Sequence, residues 1–180
     1  HMIQLRNSRQ SEELASLTHE SEGASTDFLT QLVTLCQANL KSMQVKSQGD
    51  SETEDILACV LRNSGCFAHL SSLSLVGFNG RQVMDLLLDH VRSGDCQIET
   101  LDLGGLGTNV GLLMPMLRSF HGLRELSVRW TDLEVFVPSI ADSLKNRRTS
   151  LTRLSLSSTG LTDNSLSDIA SILDSQRDLE

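Results

Sequence analysis

Histidine and cysteine are the residues from which a catalytic or metal-binding site would first be built, and neither set has the spacing for one. Cys36, Cys59, Cys66 and Cys96 are unevenly spread along the chain, with no CxxC pair. That pattern fits neither a zinc site nor a dense disulfide framework, so reduced core thiols are expected. His1, His19, His69, His90 and His121 form no recognised arrangement with Cys, Ser or a carboxylate. His69 and His121 stand beside expected strand starts, where capping or loop packing accounts for them. Gly104-Gly105-Leu106-Gly107 superficially has the look of a phosphate-cradling loop. It lacks the lysine and the full glycine pattern, and a tight turn explains it. No catalytic, cofactor or metal site is therefore expected. The remaining chemistry is recognition, and its candidates are Asp102, Glu125, Arg129, Trp130 and Arg153. A large rigid ring and a planar donor fork each gain much on desolvation in an interface. The competing explanation is packing: Trp130 plugs a gap left by a short unit, and the charges form a solvated face.

These candidates share a surface because of one recurring frame. Leu123-Arg-Glu-Leu-Ser-Val-Arg-Trp130 reads apolar, two free positions, apolar, one free, apolar; the same frame begins at Leu40, Leu70, Ile98 and Leu151. The interval between starts is nearly constant and is shortest from Ile98 to Leu123. A fixed period of this order with a strand signature indicates stacked units, each too small to bury its own apolar face. Side chains alternate along a strand, so the apolar positions point to the core and the free positions point outward in three rows. The first row is Ser42, Ser72, Thr100, Glu125 and Arg153; the second is Gln44, Ser74, Asp102, Ser127 and Ser155. Just past the strands, the third is Lys46, Val76, Gly104, Arg129 and Ser157. The N-terminal half of this face is small and polar, and the charges gather in the last three units.

Along the chain, His1-Met2 reads as a cloning scar, and residues 3–26 are polar, rich in Ser and Glu, and without periodicity beyond Ile3-Gln-Leu5. They are either a flexible leader or the remnant of an earlier strand with an insertion; the scarcity of apolar residues favours the leader. A helix is expected over about 27–39, capped by Thr26. A second opens at Ser51-Glu-Thr-Glu54 with the spacing of a capping box and stops at Asn63-Ser-Gly65. Val83, Met84, Leu87, Leu88 and Val91 make the stripe of the next, which Ser93-Gly94 ends. Two more run over about 109–120 and 132–147, where Pro115 and Pro138 should each start or kink a helix. A last helix carries Leu166, Ile169, Ala170, Ile172 and Leu173. Leu179, one further period beyond Leu151, would begin a sixth unit.

Short units alternating strand and helix at this period resemble the ribonuclease-inhibitor-like subclass of leucine-rich repeats, most closely at 95–103 and 151–163. The resemblance covers about residues 27–180 and implies an α/β solenoid, a horseshoe segment of five to six repeats with parallel strands on the concave face and helices on the convex face. Family members usually carry Asn or Cys at the ninth position of the repeat to satisfy the turn backbone. Here that position holds Gln48, Phe78, Leu106, Thr131 and Thr159, so the threonines or water must serve instead. What the resemblance implies is a non-enzymatic module recruiting a protein partner within a larger intracellular regulatory protein. Leu32, Cys36 and Leu40 are similar in spacing to the elongin-binding BC-box, with Gln31 where that motif has a small residue. A ubiquitin-ligase adaptor is accordingly the leading type. The alternatives are the regulatory repeat domain of a NOD-like receptor and a GTPase-activating leucine-rich repeat domain.

A formal charge of −8 opposes attraction to phosphate backbones or anionic lipid, so neither nucleic acid nor membrane is an expected partner. With no apolar run long enough to cross a bilayer, a cytoplasmic or nuclear protein is expected. Weak self-association through apolar layers exposed at the ends of the stack is also expected.

Overall fold

In a computed structural model of the chain, residues 2–7, 14–18, 40–46, 51–63, 69–78, 80–145 and 150–179 are described. Each copy of the apolar frame is a strand: β3 is Leu40–Lys46, β4 Ser72–Val76, β5 Thr100–Gly104, β6 Glu125–Arg129 and β7 Arg153–Ser157. Helices alternate with them: α1 is Ser51–Asn63, α2 Arg81–Ser93, α3 Val110–Ser119, α4 Val137–Lys145 and α5 Leu166–Ser175. The five strands pair in parallel in sequence order, giving an α/β architecture. Their register is unbroken. Ser42 pairs with Ser72, Thr100, Glu125 and Arg153 in turn, and the rows through Ser74 and through Gly104 align as the frame requires.

The frame sorts the two faces of the sheet. Met43, Val45, Leu73, Leu75, Leu101, Leu103, Leu126 and Val128 are buried, as are the leading residues Leu70, Ile98, Leu123 and Leu151. They form one continuous core with the inner stripes of the helices. In α2 that stripe is Val83, Met84, Leu87, Leu88 and Val91, all buried. Burial of such side chains contributes about 1.5–3 kcal/mol each, and this apolar layer is what makes the units cohere. Each helix packs on the next, α1 on α2 through α4 on α5.

At strand entry the backbone is stitched across units: Ser71 N–H donates to Lys41 O, Glu99 and Thr100 to Ser71 O, Arg124 and Glu125 to Glu99 O, and Thr152 and Arg153 to Arg124 O. Between α1 and α2 a carboxylate makes the link. Glu54 lies against Gly80, the residue that opens α2, so closely that a Cβ there would meet its oxygens. An anion is favoured at a helix N-terminus. The Ser51 side chain, the other half of the expected capping box, lies outside the described residues.

Several expectations are corrected. Parts of the supposed leader are strands: β1, Met2–Asn7, and β2, Leu14–Thr18. β1 pairs antiparallel with both β2 and β3, so it is not an earlier parallel unit, and Met2 is a paired residue. Ladder hydrogen bonds to β3 supply what the weak apolar pattern does not advertise. The helix expected over 27–39, and with it Leu32 and Cys36 of the BC-box-like spacing, lies outside the described residues; Leu40 opens β3. The helices expected from 109 and 132 begin instead as one-turn 3-10 helices, Gly107–Asn109 and Glu134–Phe136. Pro138 does stand in the first turn of α4, where a missing N–H costs nothing. Pro115, in contrast, lies inside α3 and does not start it. The carbonyl it leaves without a helical donor belongs to Gly111, which is exposed to water. Cys59 is exposed, so it is not a core thiol, whereas half-buried Cys96 packs against the core; Cys36 and Cys66 lie outside the described residues. Burial pushes the Cys96 thiol up, against a lowering backbone hydrogen bond at Ile98. It is therefore held in the unreactive protonated form.

Candidate functional site

The face of the sheet opposite the helices carries the three free rows, and its charges are organised by the register. In the first row Glu125 and Arg153 stand directly opposite one another on β6 and β7, and their charged groups approach to 3.5 Å. Asp102 belongs to the second row and Arg129 to the third, so the guanidinium reaches diagonally from β6 to β5. Its Nε donates to Asp102 Oδ1 at 3.0 Å and its NH2 group to Oδ2. Ser74 Oγ, from β4, donates to Oδ2 at 2.8 Å. One carboxylate thus gathers donors from neighbouring strands.

The electrostatics follow from that geometry. Burial pushes the Asp102 carboxyl up, but hydrogen bonds from Arg129, Ser74 and Ser127, with the Arg129 charge, outweigh burial and hold it below its ordinary value. The hydrogen bond to Asp102 holds the Arg129 guanidinium correspondingly high. Both remain charged through the physiological range. The two carboxylates and two guanidiniums nearest Trp130 sum to zero; Arg129 is held through two hydrogen bonds by Asp102, whereas Arg153, 71% exposed, meets Glu125 at 3.5 Å.

Trp130 is what stands clear of these pairs. The residue is 59% exposed, which removes the expectation that it plugs a gap in the core. Arg129 stacks beside it, the guanidinium carbon 5.3 Å from the ring centroid. The ring leans over Gly104, where a Cβ would come within 3.4 Å of ring and Arg129 atoms alike. A Cβ at Gly104 would just touch both and would press slightly on Val76, at 3.3 Å; side chains longer than alanine would have to displace the ring.

The backbone at Trp130 is also set apart. After each of β4 to β7 the chain turns through a residue with positive φ: Gly77 at 80°, Gly105 at 65°, Trp130 at 53° and Ser158 at 56°. The turn is demanded by the ladder, since Gly77 N–H donates to Gly104 O, Gly105 to Arg129 O and Trp130 to Ser157 O. Glycine meets this at no steric cost; an L-residue gives up about 1–2 kcal/mol. The same hydrogen bond explains Gly104-Gly105-Leu106-Gly107 as a turn, because the Gly105 N–H is used in the ladder.

At the ninth position, threonine replaces the expected Asn or Cys. Thr131 Oγ1 accepts from Leu106 N and donates to Arg129 O, both at 3.1 Å, and Thr159 Oγ1 donates to Leu156 O at 3.1 Å. Phe78 and Leu106 instead fill the core.

All five sequence candidates therefore lie on or beside one face, as two ion pairs and a ring stacked on one of the arginines. Three polar groups had no signal in the sequence. The Glu134 carboxylate accepts from Thr162 N, Thr162 Oγ1 and Ser165 Oγ, and the Ser165 and Thr162 bonds hold it below its ordinary pKa. Buried Gln176 accepts from Leu151 N at 2.8 Å and donates to Leu144 O at 3.1 Å. Asn109, also buried, donates to Gly80 O at 3.0 Å. Each reaches a neighbouring unit at its own point in the period, so no fixed spacing marks them.

Among the described residues, no cluster of three or more His, Cys, Asp or Glu could hold a metal ion. No helix among them is long and apolar enough to cross a membrane. The fold and face define an α/β protein with five parallel strands whose side opposite the described helices presents paired charges and one exposed tryptophan. Neither the family profiles nor the curated proteins match the sequence.

Proposed function

We propose that this chain is a non-enzymatic interaction module of the leucine-rich repeat type, which holds a protein partner across the face of its sheet opposite the described helices. The observation that carries this reading is the unbroken register of outward rows, which lead to a solvent-exposed Trp130. A stacked sheet offers a broad, rigid surface whose side chains are fixed by strand pairing, and rigid presentation lowers the entropy cost of binding. An intracellular recruiting role, as in a ubiquitin-ligase adaptor, rests on the resemblance alone. A GTPase-activating role would need an arginine available to a nucleotide, and Arg129 on this face is held by Asp102.

The test is capture from cell lysate with three forms of the chain: wild type, Trp130→Ala with Arg153→Glu, and Arg118→Glu. Arg118 is an exposed helix residue paired with Asp142. Circular dichroism first establishes that all three are folded. Proteins retained by wild type and Arg118→Glu and lost with the double variant are the expected result. Equal recovery by all three would move recognition to the helices.

A further inference from the structure

Trp130 has one feature that folding alone does not reward: the sole tryptophan of the sequence is left 59% exposed. Its left-handed backbone is the one the repeating turn imposes, shared with Gly77, Gly105 and Ser158. The charges beside the ring are spoken for: Arg129 is bound twice by Asp102, and Arg153 faces Glu125. A ligand gains little by offering an acid to the Arg129 guanidinium, which already holds a carboxylate, and an acidic ligand also meets a chain of net charge −8. A basic ligand would have to displace the same arginine.

From this we infer that, if the face opposite the described helices is the binding face, its anchor is apolar: an uncharged peptide segment of the partner protein stacks an aliphatic, prolyl or aromatic side chain on the open part of the Trp130 ring. Arg129 acts as a positioning residue. Its guanidinium, fixed by Asp102, holds the indole over Gly104, where the absent side chain leaves the ring room to lie. Trp130 supplies the contact, and the two ion pairs supply a neutral, orienting surround.

The chain's sole tryptophan makes the test direct. A displayed library of random peptides is panned against the wild-type chain, and enriched peptides are synthesised and titrated while Trp130 emission is followed. The expected consensus carries an apolar anchor and no acidic requirement. Binding should shift Trp130 emission and change by less than about twofold between low and high salt. Measured by calorimetry, since this variant has no tryptophan to follow, Trp130→Gly should weaken binding by at least about tenfold, the weight of an aromatic anchor. Because Gly suits the backbone at this position, that variant should remain folded, as circular dichroism will verify, and Arg129→Lys gives a second variant in which only the positioning of the ring is disturbed. Intermediate affinity for Arg129→Lys with the same consensus supports the positioning role.

An acid-rich consensus with steep salt dependence, still requiring Trp130, would overturn the apolar anchor and leave the face as the binding site. An empty selection, or peptides that bind Trp130→Gly as well as wild type, would overturn the inference and count against the face itself.

Discussion

The third and fifth helical layers are built from the same kind of sequence and end in opposite conditions. In the layer of β5 and α3, Leu101, Leu103, Leu113, Met116 and Leu117 are completely buried. In the layer of β7 and α5, Leu154 and Leu156 are half-buried, Leu166 and Leu173 are 59% and 56% exposed, and Ile172 is the buried apolar residue of the helix. The patterns are equivalent; the neighbours are not. Helix α3 packs between α2 and α4, whereas α5 packs on α4 alone among the described helices. A unit of this kind owes its burial to both adjacent units, so its stability is largely a property of its interfaces.

The largest effect should come from cutting the same residue type in the two layers. Leu101→Ala removes a fully buried side chain from a layer closed on both sides and is expected to cost about 2–5 kcal/mol. Leu154→Ala, in the open layer, leaves a site that water already reaches, and about 1 kcal/mol is expected. Urea denaturation of both variants measures the contrast. Equal costs would mean that the two layers are closed to the same degree.

One buried amide both closes the open layer on itself and ties it to α4, and its loss sharpens the comparison. Gln176→Ala orphans the Leu151 N–H and the Leu144 carbonyl, each accounted for by the same amide. Leaving such groups unpaired costs about 1–3 kcal/mol. The loss should be local, with amide exchange rising in β7 and α5 while α2 and α3 keep their protection. Uniform loss of protection would show that the layers melt as one.

The sequence made the layers legible and concealed these ties, for a physical reason. Period and alternation are properties of every unit, and they identified the strands, the outward rows and the stripe of α2 residue by residue. Glu134, Gln176 and Asn109 act once each, through a side chain whose partner is backbone or hydroxyl in another unit. No composition rule distinguishes them from surface polar residues. The left-handed backbone of Trp130 was hidden for the same reason: Gly77 and Gly105 advertise that turn, and Trp130 conforms to it only because the ladder requires it. In β1 and β2, strand pairing outweighs an apolar pattern too sparse to announce strands.

Acid should weaken the molecule through two carboxylates of different location, Asp102 on the sheet face and Glu134 at the turn before α4. Both have folded pKa values below their unfolded ones, Asp102 because hydrogen bonds outweigh its burial and Glu134 because of Ser165 and Thr162. The folded state therefore releases protons more readily than the unfolded state. Their stabilisation is complete above the unfolded carboxylate range, about pH 4–5, and is lost as pH falls through the folded values. Denaturation midpoints measured from pH 7 downward should decline below that range. Glu134→Gln should flatten part of the decline, and Ser74→Ala, which removes one donor to Asp102, should flatten a smaller part. An unchanged profile in both would show that neither carboxylate is held low by its partners.

The smallest effect on stability should accompany the clearest effect on association. Leu166 and Leu173 lie two turns apart along one face of α5, and both are mostly in water. Both residues are more than half exposed, so replacing them with lysine removes only partial contacts and each change should cost about 0.5 kcal/mol. The same substitution breaks an apolar stripe that runs beside the open edge of β7, and exposed stripes of this kind favour contact with another apolar surface. Sedimentation velocity over a range of concentrations should show weak self-association of the wild-type chain and a monomer for the double variant. Association that survives both lysines would assign the contact to another surface, with the opposite edge strand β2 the next to test, because β2 and β7 are the two edges of the sheet.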